Sequence, residues 1–395
     1  MKNDPLEILR LFQADLIHIR RDIHANPELA FEETRTSQIV ADKLTEWGIE
    51  VHRGIAKTGL VGVVHGRKNA SGRAVGLRAD MDCLPMHETS DVPHKSRNAG
   101  RMHACGHDGH TTMLLGAARY LAQTRNFDGT AHLIFQPAEE GGAGGKVMVQ
   151  EGLFDRFPCE AVYALHNWPA LAAGKMAVRP GPVLAATDEM RITIRGRGGH
   201  GAMPHLTADP VVAAAQVITA LQTIASRNAN PVDAIVVSVC SMETSQLGAF
   251  NVIPGHVLLV GTVRTFTPAM RDLAERRVQE IAGQIAQALG TSAEIEYRRG
   301  YPATVNTERE AVFAARVGER VFGAANVITD AEPTMGGEDF SYMLQARPGA
   351  YVFLGQGGGP SGCFLHNPGY DFNDEVIPLG AGYLAALVEE SLPLK

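Results

Sequence analysis

The order of helical and strand-like segments changes twice along this chain, and this constrains the fold more than any other feature. Up to residue 183 the two kinds of segment alternate, which predicts an α/β domain with a mixed, largely parallel sheet. Residues 184–298 instead follow the order β-α-β-β-α-β, which is typical of a ferredoxin-like α+β domain. We therefore predict one discontinuous α/β domain, residues 1–183 and 299–395, that is interrupted by an inserted α+β domain.

Two periodicities locate the individual elements. Apolar residues at helical spacing predict helices at residues 5–23, 33–47, 111–123, 145–152, 210–225, 268–289, 311–322 and 379–392. Alternating or continuous apolar runs predict strands at residues 60–66, 74–81, 131–136, 161–165, 189–195, 234–240, 256–264, 292–297 and 351–354. With 395 residues, the chain is long enough for two domains.

Composition excludes several classes of protein. The formal net charge is -7 and Lys and Arg form no cluster, so neither nucleic acid nor a membrane surface is an expected partner. No apolar run could span a bilayer and no signal-peptide pattern follows Met1, so we expect a cytoplasmic protein. The five cysteines are scattered, which suits reduced thiols. Small-molecule chemistry is the remaining expectation.

Residues 102–110 contain the highest density of metal-ligating side chains. They read Met-His-Ala-Cys-Gly-His-Asp-Gly-His. One glycine separates Cys105 from His107, so a loop can turn both side chains toward one ion, and a thiolate with an imidazole suits zinc and its first-row neighbours. Judged from this segment alone, the alternative is a polar loop with surface histidines.

Further candidate ligands stand where predicted strands end. Ligands of open α/β sheets bind beyond the carboxyl ends of the strands. The candidates there are Asp80, Asp82, Glu139, Glu140, His166 and His366, the last reached through the glycine-rich residues 357–362. Each carboxylate could also belong to a solvated surface, and each histidine could be a hydrogen-bonded structural group. Their shared placement favours a single polar site.

The adjacent carboxylates Glu139 and Glu140 could divide two tasks at such a site. Neighbouring side chains in a loop can point in different directions, so one could bind a metal while the other reaches a water molecule. A divalent ion can lower the pKa of water to about 7, and a free carboxylate can take the proton and return it to a leaving amine. This combination predicts hydrolysis.

The inserted domain carries a second group of candidates. Glycines flank His200 within residues 196–204, so a substrate could approach the backbone closely and the imidazole could donate to a developing oxyanion. The alternative is a tight β-to-α connection. Asn251 and Arg264 lie in the same domain, and the Arg264 guanidinium could pair with a substrate carboxylate.

Eight motifs, in order along nearly the whole chain, resemble the M20 metallopeptidase/amidohydrolase family. They are HANPELAFEE (24–33), LRADMDCLP (77–85), MHACGHDGH (102–110), FQPAEEGGAGG (135–145), LHNWP (165–169), GRGGHGAMPH (196–205), MGGEDFSYM (335–343) and LHNPGYDFND (365–374). Within that family, the chain looks most like the branch of hippurate hydrolases, N-acyl-amino-acid amidohydrolases and plant auxin-conjugate hydrolases.

The resemblance implies a site for two divalent metal ions, with zinc, manganese, nickel and cobalt all open as identities. The implied ligands are Cys105, His107, Glu140, His166 and His366. Glu139 is the implied general base, and Asp82 matches an aspartate that orients a metal-ligating histidine. Many family members have a bridging aspartate where this chain has Cys105, and the cysteine is typical of the amidohydrolase branch. His103, Asp108 and His110 are expected to have supporting roles, either in hydrogen bonding or at the start of the following helix.

The resemblance also implies roles for the two domains. Residues 1–183 and 299–395 would form the catalytic, metal-binding domain, and the inserted domain would serve as a dimerisation and lid domain of a homodimer. His200 is implied to reach the active site of the neighbouring subunit. Asn251 and Arg264 match positions that are expected to hold the carboxylate of the substrate.

The implied activity is hydrolysis of the amide bond of N-acyl amino acids, such as N-benzoyl or N-acetyl amino acids, to a carboxylic acid and a free amino acid. A dipeptidase, or a deacetylase of the N-acetyl-diaminopimelate type, would use the same site. A non-catalytic metal-dependent binding protein is a third alternative. We expect such a protein to have lost a ligand or Glu139, whereas this chain retains them all.

Overall fold

A computed structural model describes residues 5–246, 248–358 and 362–394 of the chain. Residues 359–361, which belong to the predicted glycine-rich loop, lie outside the described residues. Within the described part of the chain, no helix combines the length and the apolar character that crossing a membrane requires.

The chain forms two compact units. The larger unit comprises the residues up to Val183, Val305–Glu332 and the residues from Asp339 onward, and the smaller unit comprises Leu184–Thr304 with Pro333–Glu338. The boundary predicted between residues 298 and 299 falls inside a strand, because the last long strand of the smaller unit continues to Arg299.

Strands and helices are numbered here in chain order. The strands are β1 (Glu50–Ile55), β2 (Gly59–His65), β3 (Ala74–Asp80), β4 (Thr130–Gln136), β5 (Ala161–Trp168), β6 (Met176–Ala177), β7 (Gly181–Leu184), β8 (Ala186–Arg195), β9 (Gly199–His200), β10 (Ile235–Thr244), β11 (Val252–Ile253), β12 (His256–Thr265), β13 (Ser292–Arg299), β14 (Thr304–Asn306), β15 (Val327–Ile328) and β16 (Gly349–Gly355). The α-helices are α1 (Pro5–Ala25), α2 (Thr34–Glu46), α3 (His107–Thr124), α4 (Gly144–Gln150), α5 (Leu153–Arg156), α6 (Pro210–Leu221), α7 (Pro268–Ala288), α8 (Glu308–Phe322), α9 (Phe340–Ala346) and α10 (Ile377–Ser391).

The larger unit is built on an eight-stranded sheet with the order β1-β2-β4-β3-β5-β16-β6-β15. The central strands β4, β3, β5 and β16 are parallel. Strand β2 runs antiparallel to both of its neighbours, and β6 runs antiparallel to β16. The central strands are almost entirely buried, as parallel strands covered on both faces usually are. The predicted α/β class with a mixed, largely parallel sheet is confirmed.

Helices α1, α3 and α10 pack against one another on this sheet. They contribute fully buried side chains such as Leu16, Leu115 and Leu387 to the core. A Cβ at Gly116 would come within 2.9 Å of the Ala381 Cβ, so this glycine lets α3 and α10 approach closely. This packing fixes the position of α3, whose first residue is a candidate metal ligand.

The smaller unit has a four-stranded antiparallel sheet with the order β10-β12-β8-β13. Its main elements follow one another as β8, α6, β10, β12, α7 and β13, which is the β-α-β-β-α-β order that the sequence predicts. Buried and partly exposed residues alternate along β8, because α6 and α7 cover one face of the sheet. Asp209 caps α6 by accepting a hydrogen bond from the Val211 backbone N–H at 2.8 Å.

Several elements differ from the sequence-based assignment, and three of them are described here. Helix α3 begins at His107, four residues earlier than predicted, because the left-handed Gly106 (φ 95°) ends the preceding loop. Strand β5 extends to Trp168, so His166 lies within the strand. Strand β1 is absent from the prediction because it is an edge strand with few buried residues, and its apolar signal is correspondingly weak.

Candidate metal centre

All five predicted metal ligands lie in the larger unit, at or just beyond the carboxyl ends of its parallel strands. Strand β4 leads to Glu139 and Glu140, β5 contains His166 near its end, β16 leads through a loop to His366, and α3 begins with His107, two residues after Cys105. Glu140, His166 and His366 thus lie near or after a strand end, as the sequence pattern predicts, whereas Cys105 and His107 lie at the start of α3.

The turn at Gly106 directs two ligand side chains toward one point. Its φ of 95° is left-handed, and a side chain there would collide with that of Asn167, so glycine is required. With this turn in place, the Cys105 Sγ lies 3.4 Å from the His166 Nε2, and His107 starts α3 beside them. A cysteine and two histidines from separate segments thus meet in the core.

His366 reaches this group through a backbone contact. Its N–H donates to the Ala104 carbonyl at 2.8 Å, which places the loop directly beside Cys105. The His366 backbone is itself left-handed, with a φ of 60°. Its Nε2 lies 3.2 Å from the Glu140 Oε1, so the loop after β16 and the loop after β4 meet at this point.

The ligand atoms form three overlapping groups, and within each group they lie within 4.8 Å of one another. The groups are Cys105 with His107 and His166, Cys105 with Glu140 and His366, and His107 with Glu139 and Glu140. The Cys105 sulfur belongs to two of these groups. Cations would therefore be held by residues of these overlapping groups, with Cys105 common to two of them.

The His107 Nε2 is a buried ligand atom that makes no hydrogen bond to any described residue. The His107 Nδ1 lies 2.9 Å from the Asp82 carbonyl oxygen and donates to it, whereas its buried Nε2 makes no hydrogen bond and lies 3.7 Å from the Asp80 Oδ2. The Glu140 Oε1 is also buried, and it faces the His366 Nε2 at 3.2 Å. Buried polar atoms are nearly always hydrogen-bonded, so the His107 Nε2 fits a bound cation.

Asp82 fixes the backbone of the glutamate pair. Its two carboxylate oxygens accept hydrogen bonds from the backbone N–H groups of Glu139, at 3.0 Å, and Glu140, at 2.9 Å. The carboxylate and carbonyl of the same residue also face His107. Asp82 thus connects the segment after β3 with both the first turn of α3 and the loop after β4.

The local charges also suit a cation. Burial lowers the pKa of His166 well below its usual range, and its Nδ1 donates to the Asn167 carbonyl at 2.7 Å, which leaves Nε2 as a ligand atom. Hydrogen bonds to Cys105 and Glu140 raise the pKa of His366 to about 10. Without a metal, protonated His366 therefore provides the positive charge beside Cys105 and Glu140. A bound divalent ion would provide that charge in its place.

Asp80 and His110 contribute more than the sequence analysis gives them. The His110 Nδ1 donates to the Asp80 Oδ1 at 2.6 Å, and its Nε2 lies 2.6 Å from the Asn167 Oδ1. Asp80, His107 and His110 form a further buried group with ligand geometry. The sequence signal was present, because Asp80 ends a strand and His110 stands one helical turn after His107, but neither residue was assigned to the metal site.

Asp108 and His103 take separate places in the core. Asp108 accepts a hydrogen bond from His24 at 2.8 Å and pairs with Arg20 at 3.3 Å. Although burial opposes protonation of His24, the Asp108 carboxylate raises the pKa of His24 to about 9. His103 is buried, and burial lowers its pKa to about 4. The supporting hydrogen bonds predicted for Asp108 are present.

His200, Asn251 and Arg264 lie in the smaller unit. The exposed His200 Nδ1 accepts a hydrogen bond from the Ala202 N–H at 3.1 Å, which leaves the ring proton on Nε2 as a donor. The carbonyl of Asn251 accepts from the Gly201 N–H at 2.7 Å, so Asn251 and His200 belong to one local structure. Arg264 lies on β12, and its half-buried guanidinium makes no hydrogen bond or ion pair to any described residue.

Comparison with known proteins identifies the family. The model of the peptidase family M20/M25/M40 matches residues 76–390. The chain belongs to this family of hydrolases, and the resemblance stated from its motifs is confirmed.

Individual relatives cover nearly the full length. Hippurate hydrolase of Campylobacter jejuni is 42% identical over 381 residues, which cover 96% of this chain and 97% of the relative. IAA-amino acid hydrolase ILR1-like 4 of Arabidopsis thaliana is 39% identical and covers 95% of this chain and 86% of the relative. The crystal structure of Bacillus subtilis YXEP, described as a dinuclear metal-binding peptidase of the M20 family, superposes with a TM-score of 0.83 at 32% identity, covering 97% and 99% of the two chains.

Proposed function

We propose that this protein is a metal-dependent amidohydrolase that cleaves N-acyl amino acids to a carboxylic acid and a free amino acid. The observation that carries the proposal is the convergence of sulfur, nitrogen and oxygen ligand atoms beside the buried Glu139. Two relatives named for hydrolysis of amino acid conjugates support the same class of substrate.

Two divalent ions would be held by Cys105, His107, Glu140, His166 and His366. The mixed set of thiolate, imidazole and carboxylate suits zinc, manganese, nickel or cobalt. Ions bound there would supply Lewis acidity, which lowers the pKa of water and polarises an amide carbonyl. The buried Nε2 of His107, which makes no hydrogen bond to any described residue, supports this assignment.

Glu139 is the proposed general base. Its backbone N–H is fixed by Asp82, so the side chain starts from a defined position within the group that also contains His107 and Glu140. We assign Glu139 the removal of a proton from the attacking water and the return of that proton to the nitrogen of the departing amino acid. Positioned proton transfer of this kind is typically worth about 10²–10⁴-fold in rate.

The smaller unit would supply groups for the substrate. A half-buried guanidinium without an ion-pair partner, such as that of Arg264, suits the carboxylate of an N-acyl amino acid, and Asn251 would assist it. His200 would donate its Nε2 proton to the developing oxyanion in the site of the neighbouring subunit of a homodimer. This unit would then act as a dimerisation and lid domain.

The role of His200 in a neighbouring subunit has a direct test. Neither His200→Ala nor Glu139→Gln should be active alone. After mixing and subunit exchange, each heterodimer contains one site with a functional Glu139 and a functional His200 from the other chain, so activity should return. If mixing restores no activity although mass spectrometry detects heterodimers, His200 does not act across the subunits.

Other substrates and a non-catalytic role stay as alternatives. A dipeptidase or a deacetylase of the N-acetyl-diaminopimelate type would use the same ligands and the same base. A binding protein without activity is disfavoured, because the chain retains every candidate ligand and Glu139. The cytoplasmic location stays a prediction that cell fractionation would test.

One substrate panel separates these alternatives. The protein is stripped with a chelator, reconstituted with Zn²⁺, Mn²⁺, Ni²⁺ or Co²⁺, and assayed on N-benzoylglycine, N-acetyl amino acids and dipeptides. We expect turnover only after reconstitution, with the highest kcat/KM for an N-acyl amino acid. Faster cleavage of dipeptides would favour the dipeptidase. Binding of two ions without turnover of any compound would favour the binding protein.

A further inference from the structure

The buried carboxylate of Glu33 has no role in the site described so far. Glu33 is inaccessible to solvent and directly precedes α2, at the end of the motif HANPELAFEE. Its Oε2 accepts a hydrogen bond from the Thr58 hydroxyl at 2.5 Å. Its Oε1 accepts two backbone N–H bonds, from Phe31 at 3.0 Å and from Ala138 at 2.8 Å. A buried carboxylate with all these contacts is an organised element of the core.

Both backbone donors to the Glu33 Oε1 have unusual conformations. Phe31 has a φ of 62° and Ala138 a φ of 56°, which are left-handed values that side-chain-bearing residues rarely adopt. Such a conformation persists only where surrounding contacts hold it. For Ala138, the hydrogen bond to Glu33 is one such contact.

Ala138 directly precedes Glu139 and Glu140, so its conformation determines where these two side chains start. The N–H groups of residues 138, 139 and 140 are held in succession by two buried carboxylates, the first by Glu33 and the next two by Asp82. Asp82 touches the glutamates themselves. Glu33 instead fixes the turn through which β4 enters this segment.

We propose that Glu33 is a positioning residue for the general base: by holding the left-handed Ala138, it sets the direction in which Glu139 leaves the backbone. The inference rests on the proposed function of Glu139. The Glu33 carboxylate makes its hydrogen bonds to Phe31, Thr58 and Ala138, none of which is a candidate ligand, and it would act on the base through Ala138. Asp82 holds the N–H groups of both Glu139 and Glu140. Because Glu139 directly follows Ala138, loss of the Glu33 contact affects the base more than the metal ligand.

Glu28 provides a matched control in the same segment. Its carboxylate also accepts two backbone N–H bonds, from Arg35 at 2.9 Å and from Thr36 at 2.8 Å, at the start of α2. Substitution of Glu28 by Ala therefore leaves two backbone N–H groups without their carboxylate acceptor, as substitution of Glu33 does. The backbone groups concerned belong to α2 and not to the turn at Ala138.

The test compares Glu33→Ala, Glu33→Gln and Glu28→Ala with the parent protein. Amide hydrogen exchange is measured on metal-free protein for a peptide covering residues 137–141. Steady-state kinetics on N-benzoylglycine and affinity for Zn²⁺, by competition with a chelator, are measured separately. Gln retains an oxygen that can accept the two N–H bonds and an amide that can donate to Thr58, so Glu33→Gln is the conservative rescue.

We expect Glu33→Ala to speed exchange of the 137–141 peptide and to lower kcat by about 10²-fold, as small misplacements of catalytic groups do, with little change in KM or Zn²⁺ affinity. Glu33→Gln should retain slow exchange and most of kcat. Glu28→Ala should leave exchange at 137–141 and kcat at the parent values. If Glu33→Ala does not fold, the same measurements are made on Glu33→Asp. Its side chain is one methylene too short to reach Ala138.

Two results would overturn the inference. One is unchanged exchange at 137–141 in Glu33→Ala. The other is an equal loss of kcat in Glu33→Ala and Glu28→Ala, which would indicate a general structural effect. Failure of the proposed function is distinguishable from both, because it would appear as absence of turnover in the parent protein, whereas the exchange experiment does not depend on activity.

Discussion

The His107 Nδ1 lies 2.9 Å from the carbonyl oxygen of Asp82 and 3.3 Å from its Oδ1. The same aspartate accepts the backbone N–H groups of Glu139 and Glu140. One buried residue therefore orients an imidazole that we assign to a metal and fixes the two carboxylates beside it. A residue with these contacts would support the proposed metal site without being a ligand.

Replacement of Asp82 by Asn should weaken metal binding. The amide nitrogen cannot accept a backbone N–H, so at least one of the bonds to Glu139 and Glu140 is lost. We expect the affinity for Zn²⁺ to fall by about 10–100-fold, measured by competition with a chelator. The control is Asp128→Asn, whose carboxylate accepts one backbone N–H from Ser71. Equal affinity in the parent and Asp82→Asn would contradict this role.

Replacement of Cys105 should change the spectrum of the cobalt-substituted protein. A thiolate ligand gives Co²⁺ a near-ultraviolet charge-transfer absorption, which oxygen and nitrogen ligands do not give. Cys105→Ser should lose this absorption and bind Co²⁺ more weakly, because a hydroxyl is a poorer ligand than a thiolate. Cys240→Ser, at an exposed free cysteine, is the control and should retain it. An unchanged spectrum in Cys105→Ser would exclude the sulfur as a ligand.

The stability of the metal-free protein should depend on pH through Glu33. Burial, together with the nearby Asp82 charge, raises the pKa of Glu33 from 4.5 to about 7. The folded state therefore holds this proton more tightly than the unfolded state, and the resulting stability is complete below pH 4.5 and is lost as the pH rises through 7. The loss amounts to about 3 kcal/mol.

Glu33→Gln cannot lose a proton and therefore isolates this effect. The free energy of unfolding of the variant, minus that of the parent, should increase by about 3 kcal/mol between pH 4.5 and pH 8 in denaturant titrations. A difference that stays constant across this range would show that Glu33 titrates alike in the folded and unfolded states.

Loss of Arg20 should destabilise the fold strongly. Its guanidinium is buried and contacts Asp108 at 3.3 Å, Asp371 at 2.9 Å and Asp374 at 2.7 Å. Arg20→Met leaves three buried carboxylates without this cation, which should lower the free energy of unfolding by about 3–5 kcal/mol. Denaturant unfolding measures this loss.

The control for Arg20 is Arg35→Met, which removes an exposed ion pair with Asp22. It should cost at most about 1 kcal/mol. Equal destabilisation by the two substitutions would mean that the contacts of Arg20 with the three aspartates contribute no more than a surface ion pair.

Candidate ligands such as Glu140 and His366 could be predicted from the sequence because they follow strands. The positions of the strands can themselves be predicted from the pattern of apolar residues. Glu140 and His366 are far apart in the chain, yet both follow strands of one sheet. Parallel strands bring their carboxyl ends to one edge, so a strand assignment that is correct within a few residues is sufficient to group such residues.

The supporting contacts could not be predicted in this way. The left-handed conformation of Ala138 carries no sequence signal, because alanine is not a residue that usually adopts it. The bond from Ala138 to Glu33 spans 105 positions and depends on how the segment before α2 packs beside the loop after β4. The helix start at His107 was missed because Gly106 takes the place of an ordinary side-chain cap.

The most direct test of the central claim is the turnover of N-benzoylglycine by Glu139→Gln after reconstitution with metal. Gln is nearly isosteric with Glu but cannot accept a proton, so the site should still bind two ions per chain, measured by elemental analysis. We predict that kcat falls by at least about 10²–10⁴-fold relative to the reconstituted parent. Hydrolysis at the parent rate by a fully loaded Glu139→Gln protein would contradict the account.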